Sequence, residues 1–456
     1  MRYIPHTPED VQRMLRVIGA QSVDDLFAVI PKGQRLRGAL PLPGPLSETE
    51  LMDHLRELGA VNQPQSRDRD MLVFAGAGCH PHAIPAAVST LAGRSEFYTA
   101  YTPYQPELSQ GTLLSIFEFQ TMVCELLGME VANASMYDGA SGAAEAILMA
   151  RRLTRRRKAV VAASLHPAYR RTCATYLAGM EDPGEAIVSV PWTSAGTLDL
   201  EALQRALDKD TAAVVVQSPS FLGVIEDLGP VCEAAHAAGA LVVAVCTEPL
   251  ALALLKPPGE SGADIAVAEG IGLAGPPSMG GPGVGLFAVQ GKKAVRAMPG
   301  RIVGQTTDST GRPGFVLTLA TREQHIRREK ATSNICTNHG LMALRFTIHL
   351  ALLGRTGFVE LARANLAKAA FARQLLCGLD GVEPAFGGPF FNELALRVPG
   401  GDADALVARA VTRNVVPGVA LGRFYPELRD TLLVSVNETH REGDIRRLAK
   451  SFKTIG

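Results

Sequence analysis

The sequence predicts an α/β protein: a three-layer domain on a mainly parallel sheet, a small C-terminal α+β domain after it and an N-terminal arm before it. Two observations carry the large domain. Short β-branched runs that are apolar on both faces recur at 159–163, 212–217, 241–245 and 263–268, and such runs belong in a parallel sheet covered on both sides. The stretches between them, 200–207 and 231–238 among them, carry helical spacing, which makes repeated βαβ units with the helices outside. A third observation sets the scale: 456 residues with 47% hydrophobic content allow two or more structural units around a sizeable core.

In chain order, residues 1–70 read as an arm of short helices joined by Pro/Gly turns, for example 8–18 and 47–58. Residues 71–320 make the large domain. Residues 321–456 form a helical connection, 338–353 and 358–376, leading to a βαβα tail with strands at 394–398 and 432–436 and helices at 403–413 and 443–452. There is no internal repeat and no low-complexity linker.

Charge and cysteine usage exclude some function classes. The net charge is +0, which argues against a nucleic-acid binder. The local run Arg151, Arg152, Arg155, Arg156, Arg157, Lys158 reads either as a solvated helix end or as a docking patch for an acidic carrier. Seven cysteines, without a C-x-x-C pair, suggest reduced thiols rather than a disulfide framework. With no apolar segment long enough to span a bilayer and a polar start to the chain, a cytoplasmic protein is expected.

The most informative stretch runs from Ser95 to Ala150. Tyr98, Tyr101, Tyr104 and Gln105 sit around Pro103 and Pro106, which stiffen the backbone and present the phenols as rigid hydrogen-bonding rings suited to a ligand. From Gly111 the apolar positions Leu113, Leu114, Phe117, Met122, Val123, Leu126 and Leu127 predict a buried helix that holds this loop. Asp138-Gly139-Ala140-Ser141-Gly142 then opens a second helix. That turn is either an ordinary N-cap by Asp138 or Ser141, or a place where exposed amides and the helix dipole receive a phosphate.

Four motifs, Tyr101-Thr102-Pro103-Tyr104-Gln105, Asn133-Ala134-Ser135-Met136-Tyr137-Asp138, Ser164-Leu165-His166-Pro167 and the run from Arg328 through Lys330, Ser333 and Asn334 to Thr337, resemble the glycine cleavage P-protein family over nearly the whole chain. The resemblance implies a fold-type I pyridoxal-phosphate transferase-like architecture. It also implies that His166 ends a sheet strand with its imidazole free to stack on a pyridine ring; with Ser141 of the helix-opening turn it makes the candidate cofactor-binding pair of a degenerate site, occupied or empty. On composition alone His166 reads as an ordinary loop histidine.

One departure decides how far the resemblance carries. Fold-type I chemistry needs a lysine amine for the Schiff base, in a loop after a sheet strand. The corresponding region, 263–285, contains no lysine, and the nearest are Lys256 and Lys292. An aspartate expected after the strand 241–245 is replaced by Cys246, Thr247 and Glu248. A chain lacking both groups cannot run pyridoxal catalysis by itself. Within the P-protein family one arrangement splits the enzyme into two homologous subunits with the lysine on the second, and this chain resembles the first.

Other look-alikes carry less. Met71 to Gly78 ends in G-x-G, but Pro81 and the absence of a following acidic residue disfavour a dinucleotide site. Cys79, His80 and His82 lack a second cluster to complete four-coordinate zinc, so no metal is expected, and the resemblance suggests a turn whose histidines reach toward the pocket. The run Gly280-Gly281-Pro282-Gly283-Val284-Gly285 is either a phosphate cradle or a close-packed backbone crossing.

The resemblance implies a subunit of a glycine-decarboxylating oxidoreductase. Its partners would be a homologous subunit bearing pyridoxal phosphate, a lipoyl H-protein and glycine. This chain's expected contribution is Tyr101, Tyr104 and Gln105, with Glu107 and Ser109 behind them, completing the partner's pocket; Lys330, Ser333 and Asn334 are second choices. The alternative from another class is a non-catalytic scaffold that retains the fold.

Overall fold

The computed structural model describes residues 5–36, 38–61, 71–179, 186–319 and 322–452, apart from the Lys292 side chain. It divides into two compact units, Met1–Pro64 and Gln65–Gly456. In the first, α1 (Pro8–Ile18) starts at a capping box of Thr7 and Asp10, and α2 (Glu48–Ala60) at one of Ser47 and Glu50. Among the described residues of this unit only Leu15 is buried, so it has almost no core of its own.

In the second unit, seven strands form the central sheet: β1 (Val131–Ala132), β2 (Lys158–Ala162), β3 (Ile187–Val190), β4 (Thr211–Gln217), β5 (Leu241–Cys246), β6 (Ile265–Glu269) and β7 (Gly285–Val289). Their order is β1-β7-β6-β5-β4-β2-β3. Strands β2 to β6 pair in parallel, whereas β7 pairs antiparallel with both β6 and β1.

Alternate side chains of these strands enter two separate cores, which is why the runs are apolar on both faces. Val160, Val214, Val242 and Ala244 pack with α3 (Gln110–Leu127) through Phe119 and Val123. Val161, Val215 and Val243 pack with α4 (Gly139–Thr154) through Ala143, Ile147 and Ala150 and with α5 (Pro167–Leu177) through Cys173. Two further helices flank the sheet, α6 (Leu200–Ala206) and α7 (Leu228–Ala237).

Beyond β7 a hairpin of β8 (Ile302–Thr307) and β9 (Pro313–Thr318) precedes α8 (Gly340–Cys377). The two helices expected there are one element broken at Gly354, whose φ of 58° and ψ of −179° depart from helical geometry. The tail is a four-stranded antiparallel sheet of β10 (Glu383–Pro384), β11 (Glu393–Arg397), β12 (Val419–Ala420) and β13 (Thr431–Ser435), ordered β10-β11-β13-β12. Helices α9 (Ala403–Val411) and α10 (Glu442–Phe452) cover it through Leu406, Ala410, Ile445 and Leu448. Among the described residues no helix is long and apolar enough to cross a membrane.

Candidate functional site

The ends of the parallel strands and the N-termini of α4 and α5 converge as in an open α/β sheet, where a ligand crevice is expected. Here the chain's own groups occupy that convergence. At α4, Asp138 and Ser141 form the cap: the Ser141 amide donates to Asp138 Oδ1 at 2.7 Å, and the Ser141 hydroxyl donates to the Asp138 carbonyl at 3.1 Å. The next free amide, that of Gly139, donates to Glu269 Oε2 at 2.9 Å, while Glu269 Oε1 accepts from Ile271 at 2.9 Å and Val284 at 3.0 Å. A carboxylate from the end of β6 therefore stands at the helix terminus where an anion would sit. Burial pushes the Glu269 carboxyl up, opposed by those three amide donors.

Tyr169 seals the same place. Its side chain is buried and its hydroxyl lies so close to Gly139 that any Cβ there would collide with it. Burial raises its phenol well above the ordinary value. The glycine-rich run resolves as a close backbone crossing: a Cβ on Gly283 would lie 2.9 Å from the Asp138 Cβ, and Gly285 pairs as an isolated bridge with Met136.

His166 is the N-cap of α5. Its Nδ1 accepts from the Ala168 amide at 3.0 Å, its Nε2 donates to the Ala77 carbonyl at 2.8 Å, and its own amide donates to Gln217 at 2.8 Å. Such a pattern requires the neutral ring, and burial lowers its pKa accordingly. Gly78, at φ 86°, lies against this imidazole, since a Cβ there would come 2.7 Å from Cδ2, and Phe221 meets it edge-on at 4.8 Å.

The loop that covers His166 is tied down by a buried polar network. The Ala77 amide donates to Glu393 Oε1 at 2.6 Å. His82 bridges Glu248, which follows β5, and Glu438 of the tail, at 3.1 Å and 3.0 Å. Asn392 donates to Glu248 at 2.9 Å. Burial opposes charge on all three groups, but the mutual pairing raises the pKa of His82 and lowers those of Glu248 and Glu438, so the network is ionic. His80 lies between Glu248 at 3.6 Å and Glu393 at 3.9 Å. The two histidines thus turn toward carboxylates, and among the described residues no group of three or more His, Cys, Asp or Glu is placed to hold a metal ion.

The tyrosine loop has the opposite character. Tyr101 and Tyr104 are 78% and 64% exposed, Gln105 and Glu107 are exposed, and Ser109 is half-buried just before α3. The loop is nonetheless anchored. Arg301, 9% exposed, places its guanidinium 5.4 Å from the Tyr104 ring centroid, donates to the Thr102 hydroxyl at 3.3 Å and faces Glu323 at 3.6 Å. Beside it a cavity of about 310 Å³ is lined by Tyr101, Phe97, Asn338, His339 and Met342. Of the second choices, Lys330 and Asn334 are exposed, Asn334 accepting from Gln324 at 3.0 Å, while the Ser333 hydroxyl accepts from the Ile335 amide at 3.0 Å.

The structure thus gathers Tyr101 with the segment around His339, and Ser141 with Glu269 and Tyr169, in unlike surroundings. Sequence reasoning missed Glu269, Tyr169 and Arg301. Tyr169 follows His166-Pro167 by two residues and Glu269 ends a buried strand, which were the available signals. The basic run divides: Arg156 donates to the carbonyls of Thr211 at 3.0 Å and Ala238 at 2.8 Å, whereas Arg155 and Arg157 are exposed.

The fold is that of the fold-type I pyridoxal-phosphate enzymes; a Burkholderia pseudomallei sphingosine-1-phosphate lyase shares it with a TM-score of 0.65 at 16% identity over 93% of both chains. The family model of the glycine cleavage system P-protein matches residues 1–452, and the chain belongs to that family. A probable glycine dehydrogenase (decarboxylating) subunit 1 from an Anaeromyxobacter strain is 54% identical, covering 99% of this chain and 100% of its own. Its counterpart from Sorangium cellulosum is 50% identical over 98% of both. The crystal structure of a glycine decarboxylase (P-protein) of the glycine cleavage system, in inhibitor-bound form, superposes with a TM-score of 0.86 at 44% identity over 99% of each chain.

Proposed function

We propose that this chain is subunit 1 of a split glycine dehydrogenase (decarboxylating), and that it supplies side chains to a pocket whose pyridoxal phosphate is held by a homologous partner. In that reaction glycine loses its carboxyl group as carbon dioxide, and the remaining aminomethyl carbon joins a sulfur of the H-protein's lipoyl disulfide, which is reduced. The observation that carries the division of labour is the Glu269 carboxylate on the Gly139 amide, together with the lack of any lysine in 263–285. This chain's residues do not fit the cofactor: the anion position is filled, and Glu248 is engaged with His82. No step of the reaction is therefore assigned to a cofactor on this chain. The exposed Tyr101, Tyr104, Gln105 and Glu107, with Ser109 behind, are its contribution to the shared site.

Borohydride reduction of the co-expressed pair followed by mass spectrometry tests this. The expected result is one cofactor adduct on the partner and none on this chain. A stoichiometric adduct on Lys256 or Lys292 would overturn the reading.

A further inference from the structure

A second enclosure lies across the sheet from α4, between the end of β4, the start of α7 and the turn after β5. It has a volume of about 220 Å³ and is lined by Leu228, Leu252, Leu255 and Ala244, with Glu226, Asp227 and Lys256 as its charged groups, of which Asp227 already accepts from the Gly229 amide at 3.1 Å. Apolar cavities of about 150 Å³ hold a benzene molecule, so this one has room for a larger guest. Glu226 is the anomaly. It is 7% exposed, and among the described residues its carboxylate meets one donor, the Leu198 amide, at 3.0 Å from both oxygens. No cation among the described residues pairs with it, and burial lifts its carboxyl to about 7. A buried carboxylate with one hydrogen bond and spare lone pairs costs stability that a cationic ligand would return. Lys256, exposed and likewise outside any ion pair among the described residues, also lines the cavity.

We propose that this cavity binds a small aliphatic α-amino acid as its zwitterion, with the ammonium on Glu226, the aliphatic side chain among Leu228, Leu252 and Leu255, and the carboxylate toward Lys256. A concave pocket walled mainly by apolar side chains with a few polar groups is the usual form of a small-molecule site. The site shares none of the residues assigned to glycine decarboxylation, so it stands or falls independently of that assignment.

Calorimetric titration of the full-length chain tests it with L-valine as the probe, beside isovalerate, which lacks the ammonium, and isobutylamine, which lacks the carboxylate. L-valine is expected to bind in the millimolar range or better, isobutylamine more weakly and isovalerate not at all. Glu226→Gln keeps an acceptor for the Leu198 amide and should weaken L-valine at least about tenfold. Leu255→Trp fills the chamber and should abolish binding while thermal melting reports an intact fold. The assignment is overturned if L-valine gives no binding, if isovalerate or isobutylamine binds as tightly as L-valine, or if either variant retains the parent affinity.

Discussion

The tyrosine loop and the pocket around Tyr169 are made of similar material, phenols and carboxylates next to helix N-termini, and they differ in what those groups face. Around Tyr169 most polar groups have an internal partner: Glu269 takes three amides, His166 takes Ala77 and Ala168, and His82 takes two carboxylates, while the His80 ring nitrogens and the Ser164 hydroxyl are buried without a hydrogen bond. At the loop, Tyr101, Tyr104 and Glu107 are exposed to solvent while Arg301 holds the Thr102 hydroxyl and faces the Tyr104 ring. The difference teaches that satisfaction, more than residue type, separates a closed polar network from an exposed one. A satisfied network stabilises; an exposed, anchored one is available for recognition.

The largest effect that would break this contrast comes from the sealed side. His82→Gln removes the cation between two buried carboxylates and should cost about 3–5 kcal/mol in urea unfolding. Its pH dependence has a definite sign. The raised pKa of His82 makes its contribution complete below the ordinary value of 6.5 and lost as pH rises toward about 10. The depressed pKa of Glu248 makes its contribution complete above 4.5 and lost as pH falls. The parent should therefore lose stability at both ends, and His82→Gln should lose the alkaline limb. Equal stability of parent and variant would show the network to be dispensable.

On the open side, Tyr101→Phe and Tyr104→Phe should leave assembly with the partner intact but slow glycine decarboxylation by about 2–4 kcal/mol in the barrier. Full activity in both variants would place the loop outside the reacting site. Arg301→Lys keeps the charge but loses the planar fork over Tyr104, and should lower kcat by a factor worth about 1 kcal/mol with little change in KM for glycine. An effect confined to KM would assign Arg301 to ground-state binding instead. The smallest effect belongs to the basic run. Reversing Arg155 and Arg157 to Glu should raise the KM for the lipoyl carrier at low ionic strength, with the difference fading within about 0.15 M salt. Arg156 is unsuitable for that test because it holds two carbonyls. An unchanged KM in low salt would leave the run as a solvated helix end.

Legibility of the fold followed burial. The parallel strands were readable because β4, β5 and β6 are covered on both faces, and the observed bounds fall within a residue or two of the apolar runs. Strand β7 and the β8–β9 hairpin were not anticipated. The hairpin faces are mixed in burial, and its turn signal, Asp308 accepting from Thr310 and Arg312 with Gly311 at φ 81°, is local. At the site, the Pro-framed phenols were legible as composition. The closure of the pocket was not, because Glu269 and Gly139 lie 130 residues apart and Ala77 and Glu393 lie 316 apart, and no periodicity encodes such a meeting.

The glutamate on the Gly139 amide also bears on how this subunit matures. A protein whose native state is stabilised by a bound ligand draws part of its folding free energy from the free concentration of that ligand. Here the helix terminus is satisfied by a residue made with the chain itself. Its thermal midpoint should not move as pyridoxal phosphate is added, and cells starved of the vitamin should still accumulate it folded.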